Sequence, residues 1–194
     1  MSQNSGMSKT QIPFANNASP TDMNHWPIFV VNLKSAVQRR DFMSAQLDKT
    51  GLDYEFVEAV DGRQIGADEI VRRYGLQTFR KIKINKQIMT LGAVGCLLSH
   101  LKLYKKMIDE NVEVACILED DAVLKTLFAK IITSRQVRQG PWDVLLLGHY
   151  SMHKKCFTRG AEALYWRRWT YKNHCIAQPA VFPFTTLAYL IKKE

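Results

Sequence analysis

Two short apolar runs separated by one helical stripe fix most of what this chain can become. Ile28 to Leu33 reads IFVVNL, nearly continuous and rich in β-branched residues, which is the pattern of a strand buried on both faces. The stretch SAVQRRDFMSAQLDKTGL follows, with Val37, Phe42, Met43, Ala45, Leu47 and Leu52 at rough helical spacing and Gly51 as a stop. YEFVEAV is the next strand, and Asp61-Gly62 is its turn. A β-α-β opening requires a parallel sheet with a right-handed crossover, and that places the chain among α/β folds.

The remainder extends this plan. Thr90 is positioned to cap a helix starting near Leu91, and Val94, Leu97, Leu98, Leu101, Tyr104, Met107 and Ile108 recur at steps of three and four. VACILEDDAVL reads as strand followed by acids, FAKIITSRQV as helix, and Asp143 to Leu147 as a fourth strand closed by Gly148. Thr185 to Ile191 reads as a last strand. Gly66 to Lys86 is an irregular basic insertion carrying Arg72, Arg73, Arg80, Lys81, Lys83 and Lys86. Residues 1–25, rich in Asn, Ser and Thr, predict a flexible extension ahead of a domain over 26–194.

The 194 residues suffice for one domain with a real core. Cys96, Cys116, Cys156 and Cys175 show no C-x-x-C spacing, which argues against a zinc site or a disulfide framework and for a reducing compartment. No run approaches the eighteen or so apolar residues of a membrane span, and the N-terminus lacks signal-peptide character. A cytoplasmic protein is expected. The net charge of +9 suggests acidic partners such as phosphates or an anionic membrane surface. A nucleic-acid-binding module is discounted, because no recognised motif supports it and the acids would sit poorly beside a phosphate backbone.

The chemistry concentrates in CILEDDAVL. Glu119, Asp120 and Asp121 stand together at the end of an apolar run, where adjacent carboxylates raise one another's pKa unless a cation is near. Ligands of open α/β sheets bind outside the carboxyl ends of the strands. On an extended strand Glu119 and Asp121 point to one side, roughly 7 Å apart, and a bend would converge them. Such oxygens suit Mg²⁺ or Mn²⁺ completed by water and substrate phosphate. Spacing alone leaves a second reading open, in which the acids occupy the positive end of a helix. A phosphoacceptor receiver domain is discounted, because VVNLKS supplies no acid after the first strand.

The blocks IFVVNLKSAVQRRDFMSAQL, YEFVEAVDG, LGAVGCLLSHLKLYKKMI, ACILEDDAVL and WDVLLLG, in this order, resemble glycosyltransferase family 25. That family comprises the lipopolysaccharide and lipooligosaccharide galactosyltransferases of Gram-negative bacteria, with the collagen galactosyltransferases as relatives. The resemblance runs from about Pro27 to Gly148, with a weaker echo at LAYLI. It implies a GT-A-like nucleotide-binding sandwich around a mostly parallel sheet, here C-terminally short. It also implies inverting transfer of a hexose, most often galactose, from a UDP-sugar to an acceptor hydroxyl. Glu119 and Asp121 would then take the outer positions of a D-x-D arrangement and Asp120 the middle one, with Asp121 the first choice for contact with Mn²⁺ or Mg²⁺.

The other blocks acquire donor-binding roles on the same footing. Asn32 and Leu33 end the first strand, where base and ribose would lie. Arg39 and Arg40 carry forks suited to a diphosphate, or are exposed helix charges. Asp61 contacts uracil or ribose, or merely makes its turn. Gly92 and Gly95 permit close backbone approach. Ser99 and His100 lie a turn further on, with a packing histidine as the alternative role for His100.

The sequence departs from the family where Ala93 replaces a frequent acid and where the chain ends at Glu194. Residues 26–150 are expected to form the donor-binding part and 151–194 part of the acceptor side. No catalytic base is identified. Asp143 lies at the beginning of its strand, and His149 and His153 follow the right end without a supporting pattern. LYWRRWTYKNH offers Trp166, Trp169 and Tyr171 for stacking on acceptor sugars, for an anionic membrane surface, or for packing. The implied acceptor is a lipid-linked oligosaccharide at the cytoplasmic face of a Gram-negative inner membrane. The alternative function is a truncated, non-catalytic domain that binds nucleotide sugar.

Overall fold

The computed structural model describes residues 25–65, 68–69, 72, 83–84, 87–88, 90–147, 165–171, 174–179 and 187–193. In chain order these form β1 (Ile28–Asn32), α1 (Val37–Leu47) with a 3₁₀ turn at Asp48–Thr50, β2 (Glu55–Glu58) and α2 (Gly62–Ile65). The short strands β3 (Lys83–Ile84) and β4 (Gln87–Ile88) precede α3 (Leu91–Asp109) and β5 (Val114–Glu119). Then come α4 (Phe128–Ile132), α5 (Arg135–Arg138), β6 (Val144–Leu146), β7 (Tyr165–Tyr171), β8 (His174–Pro179) and β9 (Ala188–Lys192). Residues 1–24, Gly148, His149 and His153 lie outside the described residues, as does most of the basic insertion.

Five strands make the main sheet in the order β2-β1-β5-β9-β6. β1 pairs in parallel with both β2 and β5, whereas β9 runs antiparallel between β5 and β6. The predicted last strand therefore exists, starting three residues later and ending one residue later than its sequence pattern suggests, and it lies inside the sheet between β5 and β6. β3 with β4 and β7 with β8 form separate antiparallel pairs. The second of these falls between Ser151 and Phe184, where aromatic and basic residues mix with only weak periodicity in the sequence.

Side-chain alternation sorts the core into two layers. Ile28, Val30, Cys116, Leu118 and Leu190 face one way and pack with Met43 and Leu47 of α1 and with Phe128, Ile132 and Val137 of α4 and α5. Phe29, Val31, Ala115, Ile117 and Tyr189 face the other way against Leu103 and Met107 of α3. This is a helix–sheet–helix sandwich, and it explains why β1 and β5 read as continuous apolar runs. The predicted helix at FAKIITSRQV is broken into α4 and α5 because the Ser134 hydroxyl accepts from Val137 N–H and starts a new cap.

Thr90 caps α3 as its sequence predicts, accepting from Ala93 N–H. Gly51 ends the α1 segment at φ +70°, a conformation that favours glycine. The α1 stripe differs from its prediction, since Val37 and Phe42 are exposed and only Met43 and Leu47 are buried. The N-terminal half of α1 instead brings Arg39 and Arg40 to the carboxyl ends of the strands, where polar contacts replace packing.

Candidate functional site

The strand order creates a topological switch point. From β1 the chain crosses to β2 on one side and later returns through α3 to β5 on the other. Crossovers in opposite directions place α1 and α3 on opposite faces and open a crevice at the carboxyl ends of β1 and β5, where open α/β sheets bind ligands.

Asn32 and Asp120 meet there. Asn32, at the end of β1 and nearly fully buried, donates from Nδ2 to Asp120 Oδ2 at 2.8 Å and to Ala36 O at 3.2 Å. Arg39 Nη1 donates to Asp120 Oδ1 at 3.0 Å. The middle acid is thus buried and compensated, with a donor on each oxygen, as a buried carboxylate requires. The loop that follows is held by a residue with no conspicuous sequence signal. Gln46 Nε2 donates to Ala122 O at 3.0 Å, and its Oε1 accepts from Leu124 N–H at 2.9 Å.

Alternation on β5 splits the acids. Asp120 turns towards α1, while Glu119 turns towards α3 and meets Cys96 and His100. Ala122 N–H donates to Glu119 O at 3.1 Å, closing a turn that leaves Asp121 exposed.

A groove of about 260 Å³ lies beside the Asn32–Asp120 junction, lined by Asn32, Lys34, Arg40, Phe56 and Glu58. The Arg40 guanidinium sits 4.2 Å from the Phe56 ring centroid, a cation–π contact that orients its fork. The two adjacent arginines thus have separate jobs. Arg39 is committed to Asp120, and Arg40 faces the groove.

The remaining donor-site candidates are occupied structurally. Ser99, buried on α3, donates to Gly95 O at 2.7 Å and accepts from Val60 N–H at 2.8 Å, clasping the exit of β2 to α3. A Cβ on Gly95 would lie 2.6 Å from Val60 O and Gly62 N, so close backbone contact requires this glycine. Among the described residues nothing lies nearer than 3.9 Å to a Cβ placed on Gly92, so close approach is seen there at Gly95 and not at Gly92. Asp61 accepts from the Arg63 side chain and backbone N–H at 3.1 Å and from Gln64. Arg63 holds its carboxyl below the ordinary value. Leu33 O accepts from Ala36 N–H at the start of α1.

His100 is buried and sits in a polar chain across the α3 face. Its Nδ1 shares a 2.6 Å hydrogen bond with the Tyr189 hydroxyl, which in turn lies 2.7 Å from the Tyr104 hydroxyl. Its Nε2 is 3.6 Å from Glu119 Oε1. Burial alone would lower the imidazole pKa, but Cys96 and then Glu119 outweigh it and raise His100 to about 9. Tyr189 was not foreseen as a polar partner, although it sits in the LAYLI block.

Comparison with known proteins settles the ancestry. The family model described as glycosyltransferase family 25 (LPS biosynthesis protein) matches residues 25–194. The chain belongs to glycosyltransferase family 25. A glycosyltransferase 25 family member of Aedes aegypti is 32% identical over 173 residues, covering 86% of this chain and 26% of the relative. Procollagen galactosyltransferase 1-B of Xenopus laevis is 27% identical over 139 residues, covering 69% and 23%. Procollagen galactosyltransferase 2 of Homo sapiens is 28% identical over 142 residues, covering 70% and 22%. The chain therefore spans about a quarter of the length of the curated relatives it matches. For family 25 the sandwich observed here is GT-A-like, with an open sheet whose only antiparallel member among the described residues is β9.

Proposed function

We propose that this family 25 chain binds a UDP-sugar in the crevice between β1 and β5 and transfers its hexose, galactose first among candidates, to an acceptor hydroxyl. The observation that carries this reading is the Asn32–Asp120–Arg39 junction at the switch point, with the Lys34 and Arg40 groove beside it. Lys34 and Arg40 give the groove two positive charges against Glu58, a balance that favours a diphosphate. Phe56 offers an apolar wall and fixes the Arg40 fork. Arg39 acts through Asp120, holding the turn that presents Asp121.

The donor set fits a hard cation, because the turn ends in an exposed carboxylate beside two further acids. Asp121 is the acid we assign to Mn²⁺ or Mg²⁺, with Glu119 and Asp120 adding negative field. The metal, when bound, supplies neutralisation of the departing diphosphate. The acceptor is either the lipid-linked oligosaccharide implied by the family, reached from the cytoplasmic side of a bacterial inner membrane, or procollagen, after which the animal relatives are named.

A second reading is a donor-binding domain without transfer activity. Incubation with UDP-galactose and Mn²⁺, with a lipooligosaccharide or a procollagen acceptor, separates the two. UDP release stimulated by one acceptor supports transfer. Nucleotide binding without release supports the second reading, and absence of binding contradicts both.

A further inference from the structure

Cys96 and His100 stand four residues apart on α3, the spacing that brings two side chains to one helix face. Glu119 arrives opposite them from the end of β5. One potential ligand atom from each lies within 4.8 Å of the others. The Glu119 carboxylate is 3.6 Å from His100 Nε2 and 3.7 Å from Cys96 Sγ. A tetrahedral centre with bonds of about 2.0–2.3 Å holds its ligand atoms roughly 3.3–3.8 Å apart. The two separations from Glu119 fall in that range, and in the metal-free protein the Cys96 thiol donates to the carboxylate across the longer of them.

An independent observation points the same way. His100 is 4% exposed, and among the described residues its Nε2 has no hydrogen-bond partner. The orphaned nitrogen is aimed at Glu119, while Nδ1 is fixed by Tyr189 and, through it, Tyr104. An outer hydrogen bond on one ring nitrogen, leaving the other to coordinate, is the usual arrangement of a metal-binding histidine. Cys96 is half-buried and the Glu119 side chain is 30% exposed, so the cluster has a solvent-side approach.

We infer that Cys96, His100 and Glu119 form a second metal site, distinct from the acidic turn, that takes a borderline divalent cation, Zn²⁺ foremost. The donor chemistry distinguishes the two. Thiolate and imidazole select Zn²⁺, whereas carboxylates alone suit Mg²⁺ or Mn²⁺. Cys96 binds as thiolate and releases its proton to solvent. His100 binds through Nε2 as neutral imidazole, and Glu119 supplies one oxygen. Three protein ligands leave a fourth position for water or an incoming group. The expectation from sequence that no zinc site exists rested on Cys spacing alone, and a helix-borne Cys-x-x-x-His completed by a distant Glu escapes that rule.

The test uses Co²⁺ as a spectroscopic stand-in on the chelator-treated full chain. Stoichiometric titration should produce a thiolate-to-cobalt charge-transfer band and the visible bands of a four-coordinate ion, both removed by Zn²⁺. Cys96→Ser should abolish the charge-transfer band, while the double change Cys156→Ser, Cys175→Ser should retain it. Tyr189→Phe should weaken binding about 10- to 100-fold with the spectrum unchanged, and Glu119→Gln should weaken it while far-UV dichroism stays native. Asp121→Asn should leave the cobalt spectrum intact whether or not UDP binds, so failure of the donor-site reading is distinguishable from failure here. No charge-transfer band in the wild type, or a band surviving Cys96→Ser, would overturn the inference.

Discussion

At the residue scale, identical-looking neighbours have divergent roles because the sheet alternates. Glu119 and Asp120 are adjacent in sequence but serve opposite faces, one meeting His100 and the other Asn32. Ser99 clasps the exit of β2 to α3. Ser99→Ala leaves the Val60 N–H without its partner and should lower unfolding free energy by about 1–3 kcal/mol, measured by urea denaturation. His100 offers a titration test in chelator-treated protein. Its folded pKa is raised from 6.5 to about 9. The stabilisation is therefore fully present below about pH 6.5 and lost as pH rises through about 9. The urea midpoint should fall across that window, and His100→Gln should flatten the fall.

At the element scale, the crevice is maintained by contacts between the ends of β1, β5 and α1. The Asn32–Asp120 bond is buried, whereas the Arg39 side chain is 54% exposed. Solvent screening makes the exposed partner worth little, so Arg39→Ala should cost under about 1 kcal/mol. Asn32→Ala, which strips a buried carboxylate of a donor, should cost about 1–3 kcal/mol. Thermal denaturation of the two variants should preserve that order. The β-α-β opening, the capped α3 and the strand before the acids were legible in sequence because burial on both faces and helical periodicity are local signals. The insertion of β9 between β5 and β6 was not, because pairing partners are set by tertiary contacts. Nor was Gln46, a polar residue on a helix face until the loop it holds is in place.

At the scale of the whole molecule, family membership and the switch-point crevice support the same assignment from independent directions. Two metal chemistries would then flank β5, with hard oxygens at the turn and softer donors on the α3 face. Because Glu119 contributes to both, Zn²⁺ on the α3 face should weaken Mn²⁺ at the turn and its chelation should restore it, which sequential chelation and reloading with Mn²⁺ and Zn²⁺ can check. The decisive quantity is the affinity for the nucleotide. Calorimetric titration of UDP in the presence of Mn²⁺ should show one site in the wild-type chain. Arg40→Ala should weaken it about tenfold or more, the loss of a charge-assisted phosphate contact of about 1.5–3 kcal/mol. No heat in the wild type, or equal affinity in the variant, would contradict placement of the donor diphosphate in the Arg40 groove at the carboxyl ends of the strands.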